Sequence, residues 1–350
     1  MEAERMIALL RDMLLARAFE ERAAEEYTKG NIAGFLHLYP GEEAVAVGVL
    51  HAAEPSDYIV STYREHVHAM VCGIPPRTVM AELFGKKDGC SHGMGGSMHL
   101  FDRERRFMGG YAIVGETYPV AAGIGYAIAM RELPEAAICF FGDGAVNQGT
   151  FHEALNMVAL WRLPVLFVCE NNHYQIGTEI HRHSAVAEVH KRACGYRIPA
   201  RRVDGMDVLQ VHRATQEALE QIRAGNGPQF LEFETYRFRG HSMADPGTYR
   251  PKVEVQAFEN TDPITVAIAE TLPRYPTPEE IAAAGPDSIG HLADHLDRAG
   301  HLPPVGLEAL RAEVARIVDE AVRFAEASPE PTLEDARAYL ECNRGAEVLI

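Results

Sequence analysis

The stretch from Gly142 to Asn172, GDGAVNQGTFHEALNMVALWRLPVLFVCENN, constrains this chain more than any other. It opens after AICFF (137–141), and VLFVCE (165–170) precedes its closing Asn171 and Asn172. Both runs are short and continuously apolar, as expected of central parallel strands covered on both faces. Between them Phe151, Leu155, Val158 and Ala159 recur at helical spacing ahead of Pro164, so the segment predicts a strand–helix–strand crossover. Gly142, Asp143 and Gly144 then fall at one strand end and Asn172 at the next, on the edge where open parallel sheets bind ligands. A carboxylate and a carboxamide on one rim are hard oxygen donors suited to magnesium. Glycines beside them let backbone approach a diphosphate, and the helix opening near Gly149 points a positive end that way. GDG alone is equally a tight turn; the pair of strand ends is what carries the signal.

Elsewhere the pattern adds layers around that unit. Residues 2–29 read as an amphipathic helix through Met6, Leu9, Leu10, Met13 and Leu14, stopped by Gly30. A helix over 208–223 leads into the strand QFLEFETYRF, and a last long helix covers 305–327 with Leu310, Val314, Ile317, Val318 and Ala321 on one face. RFRGHSMADPGTYRP (237–251) has little apolar anchoring and reads as a loop that stays mobile until something binds it, and 273–304 is rich in Pro and Gly. No fixed-period repeat is present. The expectation is an α/β fold with a mostly parallel central sheet, helices on both faces, and helical N- and C-terminal extensions. Its divisions are 1–33 as an N-terminal helical extension, 34–260 as the α/β domain, and 261–350 as a C-terminal extension of that domain.

Composition excludes several classes. With 33 Lys+Arg against 50 Asp+Glu in 350 residues the net charge is −17, which argues against a nucleic-acid partner. Six cysteines without a CxxC pair read as free thiols in a reducing compartment. No apolar run approaches the roughly 20 residues of a membrane span, and the acidic start resembles no targeting peptide, so a cytoplasmic protein with no membrane partner is expected. GIGYAIA lacks a dinucleotide fingerprint and reads as close helix packing, disfavouring a nicotinamide-dependent dehydrogenase. His66 with His68 and His181 with His183, taken as strand residues, would face opposite sides and make poor metal pairs.

Residues 34–250 resemble the alpha chains of the thiamine-diphosphate-dependent two-chain 2-oxoacid dehydrogenases, above all those of the pyruvate dehydrogenase decarboxylating component. The matching pieces, in family order, are GFLHLYPGEEAVAVG, STYREH, GCSHGMGGSMHLF, GDGAVNQGTFHEALNMVALWRLPV, CENNHYQIGT, RVDGMDV and RGHSMADPGTYR. The resemblance implies a thiamine-diphosphate-binding fold, with Mg2+ held by Asp143, Asn172 and the carbonyl of Tyr174. It implies that Gly144, Ala145, Tyr63, Arg64 and His241 lie at the diphosphate, and Ala112 and Val114 at the aminopyrimidine. His241 and His37 are implied as catalytic residues facing the reaction centre and lining the substrate approach. Taken singly, Arg64 would more often make a surface salt bridge, His37 a satisfied core contact and His241 a solvated one. Departures from the family are Ala112, where relatives carry Gly, Gln175, where they often carry a small residue, and a longer DRERRFMGG segment.

By the same resemblance the chain is inactive alone. It assembles as two alpha and two beta chains, the beta chain supplying the glutamate beside the pyrimidine. The reaction implied is oxidative decarboxylation of pyruvate, with acetyl transfer to a lipoyl domain of the dihydrolipoyl acyltransferase. RGHSMADP favours pyruvate over the alternatives, acetoin and branched-chain 2-oxoacids. Ser242 falls in a loop that is a phosphorylation target in mitochondrial relatives. A non-catalytic assembly subunit is disfavoured because Asp143, Asn172, Tyr63, Arg64 and His241 are all present.

Overall fold

In the computed structural model, residues 3–259 and 304–342 are described. The 273–304 stretch falls outside them but for its last residue, as do the ends of the chain.

The strands β1 (Tyr58–Thr62), β2 (Phe107–Tyr111), β3 (Ala137–Gly142), β4 (Val165–Asn171), β7 (Ala200–Asp204) and β8 (Gln229–Glu234) form one sheet in the order β2-β1-β3-β4-β8-β7. Every pairing in it is parallel. The short β5 (Tyr174–Gln175) and β6 (Thr178–Glu179) make a separate antiparallel pair. The period of two along a strand sorts the core. Ile138 and Phe140, with Leu166 and Val168, pack on one face, while Cys139 and Phe141, with Phe167 and Cys169, pack on the other. That is why neither run alternates with polar residues.

On the first face lie α1 (Ala3–Lys29), α2 (Glu43–Ala52), α3 (His66–Val71), α4 (Pro76–Leu83) and α7 (Val208–Arg223). The second face carries α5 (Thr117–Met130) and α6 (Gly149–Leu160). The helix expected near the C-terminus spans Pro304–Ala327 and packs on α1 through Arg11–Glu313 and Arg22–Asp319 ion pairs. GIGYAIA sits in α5, where a Cβ on Gly125 would come within 2.6 Å of Val165, so close helix–sheet packing is its role.

The chain leaves β1, forms β2 on one side of it, and returns to form β3 on the other. This reversal opens a crevice at the carboxyl ends of β1 and β3.

Three local expectations are corrected. His66 and His68 lie on α3, and His181 and His183 on a short helix (Ile180–His183), so none is a strand residue. His66 is buried between Glu20 at 3.0 Å and Ser97 at 2.8 Å, and His68 meets Glu170 at 3.2 Å. A 3-10 turn over Asp143–Asn147 intervenes before α6, so the helix end at Gly149 does not border the crevice. The 237–251 segment is well anchored, mainly by polar groups, with Met243 also packed against the first-face core. Asp245 accepts from the N–H of His241 (2.6 Å), the N–H of Gly247 (2.9 Å) and the hydroxyl of Tyr249 (2.8 Å). Arg250 donates to the carbonyls of Arg237, Phe238 and Arg239.

Candidate active site

A cavity of about 480 Å³ lies at this crevice, within the size range of cofactor sites. It gathers every residue singled out from the sequence. Tyr63 and Arg64 follow β1; Ala112 and Val114 follow β2; Asp143, Gly144 and Ala145 follow β3; Asn172 and Tyr174 follow β4; His37 and His241 come from flanking loops. Residues spread over 205 positions of sequence are brought together because successive strands deliver their ends to one rim.

Asp143 is 1% exposed, and its Oδ2 has no hydrogen-bond partner among the described residues; His183 Nε2 stands 3.5 Å away. The Asn171-Asn172 turn carries two side chains with separate duties. Asn172 borders the cavity, its Oδ1 accepting from the Tyr174 N–H (3.2 Å) and its Nδ2 donating to Glu42 (3.1 Å). Asn171 turns away, donating to the buried Glu232 at 2.7 Å. His173 between Asn172 and Tyr174 adopts a left-handed conformation (φ 69°), which tightens the turn. Oxygen donors dominate this part of the lining, with the carboxylate of Asp143 and the carboxamide of Asn172 beside Tyr174, Glu42 and Glu170. Among the described residues no three His, Cys, Asp or Glu side chains gather as a metal cluster. Hard oxygen donors of this kind suit magnesium completed by phosphate oxygens and water, and not zinc.

Arg64 is buried and donates to the carbonyls of Leu38 and, at 2.9 Å, His241, tying the histidine loop to β1. Burial and the nearby Arg237 hold its pKa below the ordinary value. Gly144 is needed for space: a Cβ there would come within 2.7 Å of Gln175 Cγ.

The rings of His37, Tyr63 and His241 pack against one another. Burial, then the charges of Arg64 and the neighbouring imidazole, push His37 down to about 2. Burial, Arg64 and Arg237 push His241 down to about 3. Each keeps a buried Nδ1 without a hydrogen-bond partner among the described residues. Both are neutral imidazoles at pH 7.

Sequence reasoning missed Glu42, Glu170 and Arg237, which also border the cavity. Glu170 accepts from the hydroxyl of Tyr39 and meets His68. Burial lifts Glu42 to about 7, Arg64 opposing and Glu170 adding to the rise. The available signal was a pair of acids, Glu42-Glu43, opening the otherwise apolar run AVAVG.

A parallel sheet of this order with a ligand-sized crevice at its switch point has the form of a cofactor-binding α/β enzyme. The chain belongs to the family described as dehydrogenase E1 component, whose model matches residues 11–274. The family implies dependence on thiamine diphosphate. Among its relatives, the pyruvate dehydrogenase E1 component subunit alpha of Porphyra purpurea is 42% identical, the match covering 96% of this chain and 92% of that protein. The same-named subunit of Zymomonas mobilis is 44% identical over 95% of this chain and 88% of that one. The rice chloroplastic alpha-3 subunit is 41% identical over 94% and 73%. No helix among the described residues is long and apolar enough to cross a membrane.

Proposed function

We propose that this chain is the alpha subunit of a thiamine-diphosphate-dependent pyruvate dehydrogenase, an oxidoreductase that decarboxylates pyruvate and passes the acetyl group to a lipoyl domain of its acyltransferase. The observation that carries the reading is the convergence of four strand ends and two loops on one cavity holding Asp143, Asn172, Arg64 and His241. In this reading Asp143, Asn172 and the Tyr174 carbonyl hold Mg2+, and Tyr63, Arg64, Gly144, Ala145 and His241 hold the diphosphate. Ala112 and Val114 lie at the aminopyrimidine. Thiamine diphosphate, when bound, supplies the carbanion that attacks the 2-oxo carbon and the electron sink for the departing carbon dioxide.

This chain's residues do the rest. A dication and a guanidinium offset the diphosphate locally, so the net charge of −17 is no obstacle: distant charges are screened within roughly 8 Å. Neutral His241 and His37 can each donate or accept one hydrogen bond at Nδ1 or Nε2, which suits them to orienting the substrate and moving a proton.

Phe35, Ile113 and Ile176 border the cavity yet remain 62%, 66% and 59% exposed. An apolar rim of this kind favours a second chain that closes the site, in keeping with a beta subunit in an assembly of two alpha and two beta chains. The domain divisions at 33 and 260, and a cytoplasmic setting, belong to the same proposal.

The test is co-expression with the beta chain and measurement of decarboxylation with an artificial electron acceptor on pyruvate, acetoin and a branched-chain 2-oxoacid. Turnover led by pyruvate and requiring both Mg2+ and thiamine diphosphate is expected. Turnover led by another substrate would overturn the substrate, and turnover by the alpha chain alone would overturn the shared site.

A further inference from the structure

We propose that Glu42 is a positioning residue for the metal end of the cavity, fixing which end of the Asn172 carboxamide faces it. The inference rests on the reading of Asn172 as a magnesium ligand. A carboxamide has two ends of nearly equal size, and only the oxygen can bind a hard cation. A rotation of about 180° would present NH2 instead and abolish the site without any other change. Something must therefore select the rotamer.

Glu42 is placed to do so. It stands at the N-cap position of α2 but makes no capping hydrogen bond to its own helix. Instead its Oε1 accepts from Asn172 Nδ2 at 3.1 Å, across 130 residues of sequence. The adjacent Glu43 has the structural duty, accepting from the Gly41 N–H at 2.9 Å and pairing with Arg17. Oε1 of Glu42 accepts this bond whether or not its other oxygen carries a proton, so the carboxamide turns its NH2 toward Glu42 and its oxygen the other way. At that other end the Tyr174 N–H, 3.2 Å from Oδ1, reads the same orientation.

Asn171 repeats the arrangement. Its Nδ2 donates to Glu232 at 2.7 Å and its Oδ1 accepts from the His173 N–H at 3.1 Å. Both amides of the turn are thus locked by a carboxylate that is 1% exposed or less, but only Asn172 borders the cavity. The remaining oxygen of Glu42 lies 3.8 Å from Arg64 Nε and has no hydrogen-bond partner among the described residues. One side chain thereby sits between the metal-binding carboxamide and the guanidinium at the diphosphate. Outer groups that orient ligands in this way are typically worth about 10- to 100-fold in metal affinity.

The experiment is a Mg2+ titration, read by calorimetry at saturating thiamine diphosphate, on the complex with its beta chain. It compares wild type with Glu42→Ala, Glu42→Gln, Asn172→Ala and the double variant Glu42→Ala/Asn172→Ala. Circular dichroism without ligand checks that each folds, and Glu42→Met replaces Glu42→Ala if the cavity left by alanine prevents assembly. Glu42→Ala should weaken Mg2+ binding about 10- to 100-fold. Glu42→Gln should stay within about threefold, because a glutamine oxygen still accepts from Nδ2. Once Asn172 is gone, Glu42→Ala should add little. Unchanged Mg2+ affinity in Glu42→Ala, an equal loss in Glu42→Gln, or fully additive losses would each overturn the proposal. A wild-type complex that binds neither Mg2+ nor thiamine diphosphate would instead overturn the functional reading on which it rests.

Discussion

The imidazoles of His37 and His241 meet edge to face with ring centroids 5.2 Å apart, although 204 residues separate them in sequence. Both titrate far below the ordinary histidine value of 6.5, at about 2 and about 3. Between about pH 3 and 6.5 the unfolded chain therefore binds protons that the folded chain refuses. The neutral rings' contribution to stability is complete above 6.5 and is lost as pH falls through that window, by up to about 1.4 kcal/mol per pH unit for each ring. Urea midpoints of the unliganded protein should fall between pH 7 and 4.5, and those of His37→Gln should fall less steeply. Parallel slopes in the two proteins would show that His37 is not held neutral by the fold.

Gly144 adopts no left-handed backbone, so its need for glycine is steric and lies in Gln175. Gly144→Ala should weaken thiamine diphosphate binding about tenfold, near 1.4 kcal/mol, because either the new methyl or the displaced Gln175 enters the cavity. Gln175→Ala should restore most of the loss in the double variant. Calorimetry on the four proteins of the cycle would detect the coupling, and additive effects would mean that the alanine disturbs backbone and not Gln175.

Much of this arrangement is legible in the residues themselves. The runs 137–141 and 165–170 announce buried parallel strands because each supplies apolar side chains to both faces, and a rim position for Asp143 and Asn172 follows from topology. The helix over Val208–Arg223 falls where the period of its apolar residues puts it. Illegible were features that depend on a distant partner. Nothing local to Glu42 says that Asn172 will stand opposite, and nothing in the apolar count of 237–251 shows that Asp245 and Arg250 will stitch it. The His66-Val-His68 spacing suggested a strand, whereas both rings lie buried on α3 and are paired there by Glu20 and Glu170, 46 and 102 residues away.

Glu82 illustrates the same dependence and yields a stability prediction. Fully buried, it accepts four backbone N–H groups, those of Ser91 and Gly93 at one oxygen and of Gly95 and Gly96 at the other, between 2.8 and 3.0 Å. It thus shapes the glycine-rich segment that delivers Met98 to the cavity. Glu82→Gln would aim an NH2 at two donors. With hydrogen bonds to charged groups worth roughly 1.5–3 kcal/mol each, a loss of about 3 kcal/mol or more is expected. Urea unfolding checks it, and a loss under about 1 kcal/mol would mean that water replaces the missing acceptor.

Asp245 separates local order from global stability. Burial raises its carboxyl, but the N–H groups of His241 and Gly247 and the Tyr249 hydroxyl outweigh this and hold it below the ordinary value. Its three bonds all fall within 241–249 and none reaches the sheet core. Asp245→Ala should accordingly leave the main unfolding midpoint nearly unchanged while releasing the segment that carries His241. Amide exchange across 241–249 should accelerate at least tenfold, since opening now breaks fewer bonds. Thiamine diphosphate affinity should fall, because the cofactor must then order the segment itself. If exchange in 241–249 stayed at the wild-type rate, the segment would be held by Arg64, Arg250 and the Met243–Leu36 contact, and Asp245 would have no share in presenting His241.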